Sequence, residues 1–160
     1  MYYVTICTKN RENIFSNVID VGADDPVRPY EEILWNFNKT NNNYIFKPTE
    51  IGKIVNDFWN AIPKIYKNVK LHDFIIMPNH IHGIIEISNV MGGQSRPPLQ
   101  KIIQGFKSIT TRECFRFGYR AIWQRNYYEH IIRNEKEYNT ICEYINNNPI
   151  RYIYDKYYKT

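Results

Sequence analysis

Cysteine is scarce in this chain of 160 residues, and its spacing excludes two classes of protein. Cys7, Cys114 and Cys142 are odd in number, lie far apart and include no Cys-x-x-Cys pair. A disulfide framework and a zinc site built from thiolates both need cysteines in pairs. The cysteine pattern therefore indicates a reducing compartment, and we predict a cytoplasmic protein.

Long apolar runs are also missing from the sequence. No segment approaches the roughly 20 apolar residues of a membrane-spanning helix, and the first residues lack the features of a signal peptide. We therefore expect no membrane association. The length predicts one domain, 1–160, with the segment 17–48, broken by proline, glycine and asparagine, as a hairpin or loop excursion within it.

Acidic residues are outnumbered by basic ones, which gives a formal net charge of +5, and 14 of the residues are tyrosines. Basic groups mixed with aromatic rings suit unpaired nucleic acid, because the charges follow the phosphates and the rings stack on bases. The same composition also arises from an AT-rich genome. Composition alone therefore does not decide between nucleic-acid binding and a compositional bias of the genome.

Hydrophobic periodicity predicts an α+β chain in the order strand, helix, two strands, helix, strand, helix. The simplest arrangement with this order is a ferredoxin-like antiparallel sheet covered by helices. Pro149 is expected to end the last helix and to leave Asn148 at its frayed end. The predicted strands are 2–8, 32–38, 43–47, 69–77, 80–88 and one within 121–132, and the predicted helices are 49–62, 99–115 and 134–147.

His80 and His82 follow the turn-forming Pro78-Asn79 in a predicted strand. Successive strand side chains point to opposite faces, so the two imidazoles share one face and Ile81 points to the other. Two imidazoles at this spacing can converge on one metal ion. A bare His-x-His pair is common, however, and the alternative is a pair of strand histidines without a ligand.

Tyr144 and Asn148 are four residues apart in the last predicted helix and so share one face. A phenol is a poor nucleophile unless the phenolate or the transition state is stabilised, which a divalent metal beside a phosphate can do. Two histidines and one amide oxygen leave coordination positions open, which suits Mg²⁺ or Mn²⁺ better than a closed zinc site. Taken alone, each tyrosine is better explained by packing or by the surface.

Four sequence motifs together resemble those of the single-tyrosine HUH transposases, particularly the branch of REP-associated tyrosine transposases. They are MPNHIHG at 77–83, GFKS at 105–108, WQRNYYEHIIR at 123–133 and YINNNP at 144–149. The motifs occur in order and at suitable spacing, and the resemblance covers nearly the whole chain except 17–48. Four motifs in register are far more specific than one His-x-His pair.

The resemblance implies a ferredoxin-like core, a divalent-metal site and a catalytic tyrosine on a C-terminal helix. Carried over residue by residue, it implies that His80 and His82 bind Mg²⁺ or Mn²⁺ and that Asn148 completes the site, where many relatives have glutamine. Tyr144 would attack a DNA phosphodiester and form a 5′-phosphotyrosine. Family substrates are single strands that fold into imperfect hairpins. The family contains both dimers and monomers, and for this chain we favour a homodimer.

Tyr127 and Tyr128 are rival nucleophiles, but they precede the helix and lack a polar partner four residues later. With Trp123, they are better explained as packing residues or as stacking platforms for bases. The predicted DNA-binding residues are Lys107, Arg125, Tyr127 and Arg133. His130 could be a third metal ligand, but we favour a structural hydrogen bond for it. His72 is also expected to be structural.

The sequence therefore favours a metal-dependent enzyme that nicks and joins single-stranded DNA. The alternative is a domesticated protein that binds DNA hairpins with weak or no catalysis. A third interpretation, an RNA-binding ferredoxin-like module, needs an aromatic pair on the central strands, which the sequence does not show.

Overall fold

The computed structural model describes residues 1–20, 44–88 and 98–154. The predicted elements agree with it to within about two residues, except for the end of the last helix and for the predicted strand 32–38, which lies outside the described residues. In chain order the elements are β1 Tyr2–Cys7, β2 Ser16–Asp20, β3 Tyr44–Pro48, α1 Glu50–Asn60, α2 Ile62–Ile65, β4 Val69–Met77, β5 His80–Ile87, α3 Leu99–Cys114, β6 Tyr128–Ile131 and α4 Glu135–Tyr154.

Four of the strands form one antiparallel sheet in the order β4-β5-β1-β6. β2 and β3 pair separately as an antiparallel two-stranded sheet, at the two ends of the predicted excursion. The sequence order β1, α1, β4, β5, α3, β6, α4 confirms the predicted α+β class with an antiparallel sheet and helices.

The sheet separates two hydrophobic cores. Val4 and Ile81 pack with the apolar faces of α1 and α3 in one core, whereas Tyr3 and Ile84 pack with α4 in the other. Ile81 is fully buried among the first group, while His82 stacks on Tyr3 at a centroid distance of 5.6 Å. The alternation predicted for His-x-His therefore holds, and both imidazoles face α4.

Gly52 allows α1 to pack directly on the chain that precedes β2. The N-cap Thr49 accepts a hydrogen bond from the Gly52 N–H at 3.1 Å and donates one to the Ile14 carbonyl at 2.6 Å. A Cβ at Gly52 would lie 2.0 Å from the backbone oxygen of Phe15. Since a backbone oxygen cannot rotate away as a side chain can, no larger residue fits without moving the helix.

We predict that Gly52→Ala destabilises the protein by about 1–3 kcal/mol, the usual cost of overpacking. This cost is expected to exceed the gain of about 1 kcal/mol that alanine brings to a helix interior. Gly105→Ala in α3 is the matched control, because its Cβ would lie 3.2 Å from the movable hydroxyl of Tyr66. Urea unfolding of both variants measures the difference, and equal stabilities would contradict the packing argument.

The end of α4 corrects the prediction that Pro149 terminates the last helix. The helix begins as predicted, with the Asn134 side chain accepting from the Glu137 N–H at 2.9 Å, but it continues through Pro149 to Tyr154. Proline removes one helical hydrogen bond. The turn that follows Pro149 is held in place by Tyr152, which is buried and donates a hydrogen bond to the Asn13 side chain at 2.9 Å. Asn148 therefore lies inside a helix and not at a frayed end.

Candidate active site

A cavity with a volume of about 860 Å³ lies between α4 and the sheet face that carries His80 and His82. It brings together the four residues singled out as catalytic or metal-binding. Its lining consists of Tyr3, Thr5, Cys7, Arg11, His80, His82, Gln124, Asn126, Tyr127, Tyr128, Thr140, Ile141, Tyr144, Asn148, Arg151 and Tyr152. A strand pair and one helix thus supply most of the polar groups.

The two imidazoles lie side by side, with ring centroids 4.6 Å apart. His80 Nδ1 is 2.7 Å from the side-chain oxygen of Asn79. Because that oxygen can only accept, Nδ1 carries the proton and the lone pair of the neutral ring is on Nε2. Burial first, and the neighbouring His80 second, hold the pKa of His82 well below its usual value. His82 is therefore neutral at physiological pH, as a metal ligand must be.

Tyr3 and Thr5 fix the orientation of His82, and sequence reasoning missed both. His82 Nδ1 lies 2.8 Å from the hydroxyl oxygen of each residue, and Nε2 makes no hydrogen bond to a residue that the structure describes. Burial raises the pKa of Tyr3 to about 12, so its hydroxyl stays protonated. The alternation of residues in β1 predicts that Tyr3 and Thr5 share one face of the strand. Only the pairing of β1 with β5 in the structure, which sets Thr5 opposite His82, shows that this face contacts the histidine.

Tyr144 lies next to the histidine pair and remains accessible. Its ring centroid is 5.4 Å from that of His82, and 37% of the residue is exposed. The guanidinium carbon of Arg151 lies 5.1 Å from the Tyr144 ring centroid. A phenol in this position has the Arg151 cation and the His82 imidazole as neighbours, while its exposure leaves room for a substrate.

Asn148 combines burial with an unused amide. Only 6% of the residue is exposed, and its side chain forms no hydrogen bond with any described part of the chain. The polar side-chain atoms that are fully buried and lack a hydrogen bond among the described residues are Ser16 Oγ and Trp59 Nε1, so the amide of Asn148 keeps access to the cavity. Because Asn148 lines the cavity one helical turn from Tyr144, its amide is available to a ligand there.

The rival tyrosines have different surroundings from Tyr144. Tyr127 and Tyr128 both line the cavity. The Tyr127 hydroxyl donates to the Glu129 carboxylate at 2.8 Å, and burial together with this carboxylate raises its pKa. A carboxylate beside the phenol disfavours the phenolate, which makes Tyr127 a poorer nucleophile. Tyr128 is 58% exposed, on the edge strand β6.

The predicted basic contacts lie outside the main cavity. Lys107 and Arg125 line a second, smaller cavity, where the Lys107 ammonium donates to the carbonyls of Gln124 and Arg125. Arg133 lines neither cavity, and its backbone N–H donates to Glu137 at 2.8 Å. These residues do not form one cluster, and their contacts with DNA remain predictions.

The remaining histidines make the structural hydrogen bonds that we favoured. His130 Nε2 is 2.6 Å from the Glu137 carboxylate. His72 bonds to Glu86 at 2.7 Å and lies 3.2 Å from the Tyr138 hydroxyl. Neither residue lines the cavity, so neither adds a ligand to the histidine pair.

The donor set fits a hard divalent cation with open coordination positions. Within residues 1–20, 44–88 and 98–154, no group of three or more His, Cys, Asp or Glu side chains is arranged to hold a metal. A metal at His80 and His82 would therefore need another donor. Asn148, Gln124 and Asn126 are the amides that line the cavity, and Asn148 lies on α4 one helical turn from Tyr144. Such a set leaves positions for phosphate oxygens, unlike a closed zinc site.

Among the described helices, none has the length and apolar character needed to cross a membrane.

Comparisons with known proteins agree with the fold and the motifs. An uncharacterised protein of Haemophilus influenzae is 35% identical over 179 residues, covering 98% of this chain and 84% of the relative. The fold resembles that of a REP-associated tyrosine transposase solved with a REP hairpin, with a TM-score of 0.60, 18% identity and coverage of 97% of this chain and 69% of that one. The profile of the IS200-like transposases matches residues 38–148, so the chain belongs to the IS200-like transposase family.

Proposed function

We propose that this protein nicks and joins single-stranded DNA at hairpin-forming repeats, through a 5′-phosphotyrosine and with Mg²⁺ or Mn²⁺. The observation that carries the proposal is the convergence of His80, His82, Tyr144 and Asn148 on one cavity. The four come from two distant parts of the sequence, and packing has no need to bring a phenol, two imidazoles and an unpaired amide together.

His80, His82 and Asn148 are the residues that would hold the cation. His82 is held in place by Tyr3 and Thr5, and its burial keeps the imidazole neutral. When bound, a divalent cation polarises the phosphoryl group and stabilises the charge that develops during the attack. The amide of Asn148 then gains the partner that it lacks within the described chain.

Tyr144 would act as the nucleophile. Its hydroxyl oxygen forms a bond to phosphorus, the bond between phosphorus and the 3′ oxygen breaks, and the phenolic proton is passed to solvent while the 3′ oxygen gains one. The products are a 5′-phosphotyrosine and a free 3′-hydroxyl. Another 3′-hydroxyl can attack the same phosphorus and release Tyr144, which joins strands without ATP because the ester retains the bond energy.

Arg151 would stabilise the anionic forms of this reaction. Its guanidinium lies 5.1 Å from the Tyr144 ring centroid and lines the same cavity. A cation here favours a phenolate and a nearby phosphate by Coulomb attraction. Arg151 follows Tyr144 by two helical turns, so the continuation of α4 past Pro149 is what places this charge.

Hairpin DNA is the proposed substrate class. The structural relative was solved with a REP hairpin, and this cavity offers Tyr127 and the exposed Tyr128 as surfaces on which unpaired bases can stack.

The predicted homodimer remains a prediction. His80, His82 and Tyr144 lie together within a single chain, so a partner is not needed to complete the set.

The test is incubation with a hairpin oligonucleotide taken from the repeats that flank the gene, with Mn²⁺, with Mg²⁺ or with EDTA. We expect cleavage and a covalent protein–DNA adduct only with the metals, and strand joining when a second 3′-hydroxyl strand is added. Tight binding without cleavage or adduct under all conditions would contradict the proposal and favour a hairpin-binding protein without catalysis.

We predict that Tyr3→Phe weakens Mn²⁺ binding by about tenfold, since residues that orient a metal-ligating histidine contribute about 10- to 100-fold. Phenylalanine keeps the ring that stacks on His82 and removes only the hydroxyl bonded to Nδ1. Calorimetric titration with Mn²⁺ measures the affinity. Tyr138→Phe is the control, because its hydroxyl contacts His72 outside the cavity; equal losses in the two variants would contradict an orienting role for Tyr3.

A further inference from the structure

A second cavity, of about 350 Å³, continues from the candidate active site along α3. Gln124 lines both cavities. Burial lowers the pKa of Lys107 in the second cavity, and Cys7 in the first opposes this shift, so the two groups lie close enough to interact. The second cavity is thus the next surface that a strand leaving the active site beside Gln124 would meet.

The lining of this second cavity carries unused hydrogen-bond donors. The hydroxyls of Ser108 and Thr111 bond to nothing that the structure describes, whereas Thr110 between them donates to the Phe106 carbonyl and accepts from the Trp123 indole. Arg125 is exposed at the same cavity. Hydroxyls and a guanidinium are common phosphate contacts in DNA-binding proteins.

An exposed aromatic ring lies beside the second cavity, one helical turn beyond Thr111. Phe115 follows α3 directly in helical conformation, so it lies one turn beyond Thr111 on the same side. It is 63% exposed. Arg112, three residues earlier, has a side chain that is 73% exposed and forms an ion pair with Glu113 at 3.5 Å. An exposed phenylalanine next to an arginine fits a stacked base with a neighbouring phosphate.

We propose that Arg125, Ser108, Thr111 and Phe115 form a track for the unpaired DNA strand that flanks the cleaved phosphate. This proposal rests on the proposed function. It extends that function by naming a surface, outside the metal site, that binds the single strand next to the hairpin. Arg125 and the two hydroxyls contact phosphates, and Phe115 stacks on a base. The occupant is single-stranded, since duplex bases are already stacked on each other and do not offer a free face.

The experiment compares blunt DNA hairpins with the same hairpins carrying an oligothymidine extension at either end, by fluorescence anisotropy with the full chain. We expect an extension on one side to tighten binding by about tenfold, which is within the range for stacking of one base. Phe115→Ala and Arg125→Ala should each reduce this gain, and Arg125→Ala should also reduce the salt dependence.

Ile65→Ala and Lys64→Ala are the matched controls. Ile65 is 61% exposed, close to the value for Phe115, and neither Ile65 nor Lys64 lines either of the two cavities described above. Both control variants should keep the full gain. If the unmodified chain gains nothing from either extension, or if Phe115→Ala and Arg125→Ala both keep the gain, the track is wrong while the proposed function stands. If the chain binds no hairpin at all, both are wrong.

Discussion

Tyr144→Phe is expected to abolish the covalent protein–DNA adduct, with a loss of at least about 10⁴-fold in cleavage, as for other catalytic nucleophiles. Phenylalanine removes the one oxygen that would bond to phosphorus. The ring, which contacts Tyr3 and His82 edge-on at centroid distances of 6.3 and 5.4 Å, is retained. Hairpin binding should therefore change little, and denaturing gels with labelled DNA separate binding from chemistry.

Tyr128→Phe is the control for this experiment, because Tyr128 lines the same cavity and is a rival nucleophile. The adduct should persist in Tyr128→Phe. An adduct that survives Tyr144→Phe would overturn the assignment of Tyr144 and turn attention to Tyr127 and Tyr128.

His80→Ala should weaken Mn²⁺ binding by about a hundredfold or more and reduce metal-dependent cleavage accordingly. Loss of a direct ligand should cost at least as much as loss of a residue that only orients one. His80 is a better test than His82, because His82 is 4% exposed and its removal would take away the imidazole to which the hydroxyls of Tyr3 and Thr5 both bond.

His130→Ala is the matched histidine control, since His130 bonds to Glu137 and does not line the cavity. Calorimetric titration with Mn²⁺ should give unchanged affinity for this variant. Equal affinities of His80→Ala and the unmodified chain would show that the metal, if it binds, lies elsewhere. Thermal unfolding of both variants shows whether a loss of affinity comes from a loss of folded protein.

Much of the fold follows from the sequence because its signals are local. The alternation around His80 and His82 predicts which face of β5 each side chain takes, and the spacing of Tyr144 and Asn148 predicts that they share one face of a helix. Both predictions depend on backbone geometry within a few residues. The match of four motifs to a family then connects the two pairs, which periodicity alone could not do.

The parts that could not be predicted depend on contacts between distant residues. Tyr3 and Thr5 become partners of His82 only because β1 lies beside β5 in the sheet. The continuation of α4 past Pro149 depends on burial of Tyr152 and its bond to Asn13, which outweigh the local preference of proline. Asn148 is consequently a buried residue within the helix, whereas Pro149 directly after it had predicted a position at the frayed helix end.

The most direct test of the central claim is mass spectrometry of the adduct formed with hairpin DNA and Mn²⁺. After digestion by protease and nuclease, we expect a nucleotide attached through its 5′ phosphate to the peptide that contains Tyr144. Attachment to Tyr127, Tyr128 or any other residue, or a linkage through a 3′ phosphate, would contradict the proposed chemistry.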